Sequence, residues 1–75
     1  MNIIDILVHI RTNLNGEDRD NVEQELRQLD GIIAPRFTEH NEHLLVVAYN
    51  PAKLNTGGLL EKVTAMGLDA RLVGL

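Results

Sequence analysis

The chain contains no cysteine, which removes disulfides and thiolate metal centres from consideration. A cysteine-free chain also gives no sign of an oxidising compartment. Tryptophan is absent, and there is one phenylalanine and one tyrosine, so no aromatic platform exists on which bases could stack. Basic residues are in deficit: seven stand against eleven acidic ones, for a net charge of −4. That balance argues against a nucleic-acid partner, whose phosphates require a basic footprint. The longest apolar run, Leu44 to Ala48, is far too short to span a bilayer. The opening Met1-Asn2-Ile3-Ile4-Asp5 has no basic segment before its apolar residues and reads as something other than a signal peptide. A soluble, cytoplasmic protein with no membrane partner is expected. There is no Gly-x-Gly-x-x-Gly, no phosphate loop and no convergent acid–base or nucleophile set, so no catalytic residue and no enzyme is expected. Linkers, low-complexity segments and blocks of like charge are also missing. Residues 1–75 therefore read as one domain, which at this size buries only about 60–65% of its unfolded surface.

What is present is periodicity. Ile4, Ile6, Val8 and Ile10 alternate with Asp5, Leu7, His9 and Arg11, which predicts a strand with one face on the core. Asn15 is a good N-cap, and Glu17, Asp18 and Asp20 suit the positive end of a helix. Val22, Leu26 and Leu29 form one apolar stripe on that helix, and Gly31 is expected to stop it. Ile32 to Thr38 reads as a second strand, held to a sheet edge by Pro35, which cannot donate to a ladder. Glu39-His40-Asn41-Glu42 is a polar hairpin connection, and Leu44 to Tyr49 a third strand. Asn55 caps a second helix with Leu59, Leu60, Val63 and Met66 facing inward and Gly67 at its end. Asp69 to Val73 completes the pattern. The order β-α-β-β-α-β predicts an α+β fold of the ferredoxin-like kind: a four-stranded antiparallel sheet, strand order 4-1-3-2, with both helices on one face.

Val22-Glu23, Leu26, Leu29, Gly31-Ile32, Val47, Tyr49-Asn50-Pro51, Leu59-Leu60, Val63, Gly67 and Ala70-Arg71-Leu72 together resemble the heavy-metal-associated domain. That family includes small copper chaperones and the N-terminal domains of metal-pumping ATPases. The resemblance covers nearly the whole chain, although most of these positions speak to fold rather than chemistry. The family carries a Met-x-Cys-x-x-Cys loop ahead of its first helix. Counting back from Val22, Asn15 takes the first cysteine position and Asp18 the second. An amide and a carboxylate cannot replace two thiolates for a soft ion. The resemblance thus implies the frame without the Cu(I) site, and helix capping is a sufficient role for both residues.

Two other constellations bear on function. His40, His43 and Glu42 lie in the hairpin that this fold brings beside the first loop and Asp18. Imidazole plus carboxylate would suit Zn(II), Ni(II) or Cu(II), while a solvated polar turn explains the same residues. The second constellation is the outer sheet face. If the even positions of the first strand face the helices, Leu7 and His9 face away, beside Leu44 and Val46. An apolar patch on adjacent central strands is of the kind that marks a contact surface. The expectation is a small non-enzymatic module acting through a protein partner or a homodimer. An atypical His/carboxylate metal carrier is the alternative, and a small-molecule regulatory domain a more distant third.

Overall fold

The computed structural model describes residues 2–73. Along these, β1 (Ile4–Ile10), α1 (Gly16–Arg27), β2 (Ile32–Phe37), β3 (Leu44–Tyr49), α2 (Thr56–Ala65) and β4 (Ala70–Val73) follow in the expected order. The strands form one four-stranded sheet in the order β2-β3-β1-β4, with every neighbouring pair antiparallel. Read from the β4 edge, the order is 4-1-3-2, and the strand bearing Pro35 lies at an edge as its missing N–H requires. No helix among the described residues is long and apolar enough to cross a membrane.

Alternation decides which face is covered. Val8 and Ile10 of β1 and Leu45, Val47 and Tyr49 of β3 are buried in one cluster with Val22 and Leu26 of α1 and Leu59 and Val63 of α2. Both helices therefore press their apolar stripes on the same sheet face. Ile6 packs against the cluster, but Ile4 remains 45% exposed. Among the described residues β4 pairs with Leu7–Ile10 of β1.

β2 keeps its core contacts through an irregularity that simple alternation does not anticipate. The register shifts between Ile32 and Ala34, making Ile33 an extra residue. Such a bulge resets the phase of a strand. Ile32 and Pro35, three positions apart, therefore both face the core, where Pro35 is fully buried and Ile32 packs against the cluster. Ile33 is 48% exposed.

The helix ends are built as the capping residues dictate. Asn15 Oδ1 accepts from the Asp18 N–H at 2.7 Å and Asn55 Oδ1 from the Gly58 N–H at 2.6 Å. At the other end the structure corrects the expected stop. α1 ends at Arg27 with Gln28 as C-cap, and Leu29 lies beyond it, its N–H bonding Leu26 C=O in a tighter turn. Gly31 is instead the entry into β2. It has φ 101°, and a Cβ there would meet Leu54 Cβ at 2.8 Å. That close approach fits Gly31 against the Asn50 turn, where Asn50 N–H donates to Gly31 C=O at 2.7 Å. Gly67, with φ 82°, does follow the C-cap of α2 directly.

Candidate functional site

The sheet has two faces, and helices cover one. On the other, cross-strand register places Leu7 opposite Val46 and also opposite Val73, His9 opposite Leu44 and Arg71, Asp5 opposite Ala48, and Arg36 opposite Val46. Leu7, His9, Leu44 and Val46 thus share the uncovered face, and Ala48 and Val73 extend it; all six are partly exposed. Within β1 and β3 these are close pairs. Ile10 N–H donates to His43 C=O at 2.8 Å, so by the antiparallel alternation His9/Leu44 and Leu7/Val46 occupy the non-hydrogen-bonded positions, where side chains approach most nearly. The centre of the face is consequently a packed apolar row rather than isolated side chains.

The charges around this row differ from the rest of the molecule. Five of the seven basic residues are ion-paired: Arg11 with Asp69, Arg19 with Glu42, Arg27 with Glu23, Lys53 with Asp30 and Lys62 with Glu25. Among the described residues, only Arg36 and Arg71 have no carboxylate in ion-pair range. Both lie on the uncovered face, Arg36 on the β2 edge strand and Arg71 on the β4 edge strand, one on each side of the apolar row. Asp5 is the one carboxylate carried by the strands of this face. A surface depression of about 540 Å³ at the hairpin end includes Arg36, Val46, Glu39 and His40 in its lining.

The β2 edge is closed to a further strand. Thr38 N–H bonds Leu44 C=O at 3.0 Å, so alternation turns the amide positions of Phe37 and Pro35 outward. Pro35 has no N–H, and the Phe37 N–H donates to the Glu23 carboxylate of α1 at 2.9 Å. Both features are ways in which proteins blunt an edge against pairing.

The hairpin and the first loop do lie together. Arg19 joins them, donating from Nη1 to Leu14 C=O at 2.7 Å and to Glu42 Oε2 at 3.3 Å. The four residues expected at a metal site have separate engagements, however. The His43 ring Nδ1–H donates to Ile10 C=O at 2.8 Å, in place of its own backbone N–H, which turns to Asn41 Oδ1. Glu42 is held by Arg19, Asp18 lies in the first turn of α1, and His40 lines the depression on the sheet-face side. Among the described residues no three His, Asp or Glu side chains are grouped to hold a metal ion.

His9 stands 6.1 Å from His43 between ring centroids, with the rings tilted by 38°. Its Nδ1 is buried without a partner; the tautomer protonated on Nε2 leaves only a lone pair unpaired there. A mostly apolar cleft of about 360 Å³ between α1 and the α2–β4 connection is lined by Leu14, Val22, Met66 and Leu68 together with Asp18 and Glu25. Its lining holds no nucleophile–base pair. Sequence reading missed this cleft and the pair Arg36/Arg71. Arg36 and Arg71 carry a signal only once strand register and every ion pair are known. No protein-family model matches this sequence, and no curated protein matches it either.

Proposed function

We propose that the protein is a non-enzymatic, cysteine-free binding module with a ferredoxin-like βαββαβ frame, resembling the heavy-metal-associated domain without its thiolate site, and that it acts by docking a partner protein on its uncovered sheet face. The observation that carries this reading is the apolar row Leu7, Val46, Leu44 and Val73, flanked by Arg36 and Arg71, which form no ion pair among the described residues. A sheet covered on one side ordinarily presents polar residues on the other, and contiguous apolar surface marks contact sites. Where the resemblance would place thiolates, Asn15 caps α1 by accepting from the Asp18 N–H and Asp18 lies in the helix's first turn, which favours contact over soft-metal transfer.

A partner protein is favoured over a second copy by charge. Two identical faces brought together would each bring the same two arginines, Asp5 and Glu39, and so offer no complementary charge to steer the pair.

The test is site-specific photo-crosslinking in the native cell from Leu7 or Val46, with Glu61 on α2 as the control position, followed by identification of the adduct and measurement of its affinity with purified proteins. The expected result is one identified partner, crosslinked from the sheet face only and bound at least ten times more weakly by Leu7→Ser/Val46→Ser, with the variant's circular dichroism unchanged. Adducts from Glu61 alone, or a dimer of this chain as the sole adduct, would refute it.

A further inference from the structure

The distribution of ion pairs says what kind of surface the sheet face accepts. In a chain of net charge −4, each of the other five Lys and Arg side chains has a carboxylate of the same molecule within 4 Å, on the helices, the hairpin or the loops. Among the described residues, Arg36 and Arg71 have no such carboxylate, and they stand at opposite edges of one face. The outermost strands, β2 and β4, are three strand spacings apart, about 14 Å. Between them run the two central strands with Leu7, Val46 and Leu44. The face is thus an apolar floor with a cationic rail along each side.

Resting on the proposed docking function, we infer that the occupant is an acidic amphipathic helix of a partner protein. It would lie along β1 and β3 with its apolar stripe on Leu7, Val46 and Leu44 and carboxylates on both flanks, facing Arg36 and Arg71. The dimensions agree. A helix is about 10–12 Å across with its side chains, which fits between rails about 14 Å apart. Arginine lays its methylenes along apolar surface while extending its charge to the rim, so each guanidinium rises beside such a helix and can take a flanking carboxylate in bidentate fashion. An added strand is less suitable. The β2 edge has a proline and an N–H already held by Glu23, and a strand laid flat on the face would leave its backbone groups unpaired. Docking a helix would cover the sheet's second face with a third layer and remove its apolar row from water. Asp5 and Glu39 stand at the periphery of this face and form no ion pair with either arginine among the described residues, so neither neutralises the rails.

The experiment uses the isotope-labelled protein and three synthetic amphipathic helical peptides with one shared apolar stripe, flanked by Glu, Gln or Lys. Amide shifts are followed by NMR during titration at low and at physiological salt. The Glu-flanked peptide should bind at least tenfold more tightly than the Gln-flanked one, and the Lys-flanked one should be weakest. Shifts should centre on Leu7, Val46, Arg36 and Arg71, the bound peptide should give helical carbon shifts, and added salt should erode the preference. The exposed double variant Arg36→Glu/Arg71→Glu should invert the ranking while keeping its dispersed spectrum. Equal binding of all three peptides at Leu7 and Val46 would overturn the acidic helix and leave the docking face standing. No shifts on this face with any peptide, together with a failed crosslink, would remove both. An extended bound peptide, or an unaltered ranking in the double variant, would also defeat the inference.

Discussion

Replacing Asn15 by alanine removes the acceptor that holds the Asp18 N–H at 2.7 Å, and replacing Asn55 by alanine does the same to the Gly58 N–H at 2.6 Å. The chemistry is identical, but the two helices are unequally supported. The first turn of α1 keeps Glu17 and Asp18, which favour the positive helix end, and Arg19 pins the preceding loop through Leu14 C=O. The first turn of α2 has no acidic residue and contains Gly57 and Gly58, each about 1 kcal/mol less favourable in a helix than alanine. Loss of an N-cap costs roughly 0.5–2 kcal/mol. Asn15→Ala should fall near the low end and Asn55→Ala near the high end of that range. For a domain of this size roughly 4–8 °C of melting temperature accompanies each kcal/mol, so the two variants should separate clearly in thermal and urea unfolding followed by circular dichroism. Asn15→Asp, which keeps the acceptor, should be close to neutral. An Asn15→Ala variant that costs as much as Asn55→Ala, or nothing, would refute the reasoning. In that event, capping would not account for the residue that stands where the family resemblance expects a thiolate.

Two further perturbations test the frame that presents the sheet face. Gly31→Ala meets both a positive φ of 101° and Leu54 Cβ at 2.8 Å, whereas Gly67→Ala meets only its φ of 82°, with nothing within 4 Å. Left-handed backbone costs about 1–2 kcal/mol and overpacking about 1–3 kcal/mol more, so chemical denaturation should rank Gly31→Ala as the more damaging by at least about 1 kcal/mol; equal losses would show that the Asn50 turn yields. Glu23→Ala leaves the outward Phe37 N–H without its carboxylate, at a cost of about 1–3 kcal/mol. It should accelerate hydrogen exchange at Phe37, with Glu23→Gln intermediate, and exchange at Phe37 unaffected by either variant would mean that the edge is protected some other way.

The fold was legible because local signals agreed with one another. The alternation in Ile4–Ile10, the caps Asn15 and Asn55, the stripe Val22/Leu26 and the proline that forces β2 to an edge all specify one arrangement. What escaped was set by packing. Ile33 occupies a bulge with no local signature in Ile-Ile-Ala-Pro, and the bulge lets Ile32 and Pro35 share the core side. Gly31 reads locally as a helix stop, yet the α1 turn closes without it, and its positive φ serves the approach to Leu54. The candidate face was legible in its apolar members, because parity along β1 and β3 is a property of the sequence. Its charged members were not. Arg36 and Arg71 are distinguished from the other five basic residues only by what fails to stand beside them, and ion pairs such as Arg11–Asp69 or Arg19–Glu42 join residues far apart in the chain.

That distinction changes how composition bears on partners. A net charge of −4 describes the whole surface, but an interface meets one face at a time. Of the six acids without an ion pair among the described residues, Glu17, Asp18 and Asp20 lie together at the start of α1, while the sheet face carries Arg36 and Arg71 with Asp5 and Glu39 at its periphery. An acidic protein can therefore dock on a chain that is itself acidic, provided that it approaches the sheet. The same geometry separates that partner from a nucleic acid. Two cations about 14 Å apart release too few counterions to hold a phosphate backbone, and the apolar row between them has no counterpart there. Carboxylates on both sides of an apolar stripe match all three elements at once, and this match gives Arg36 and Arg71 a use that no contact within the described residues provides.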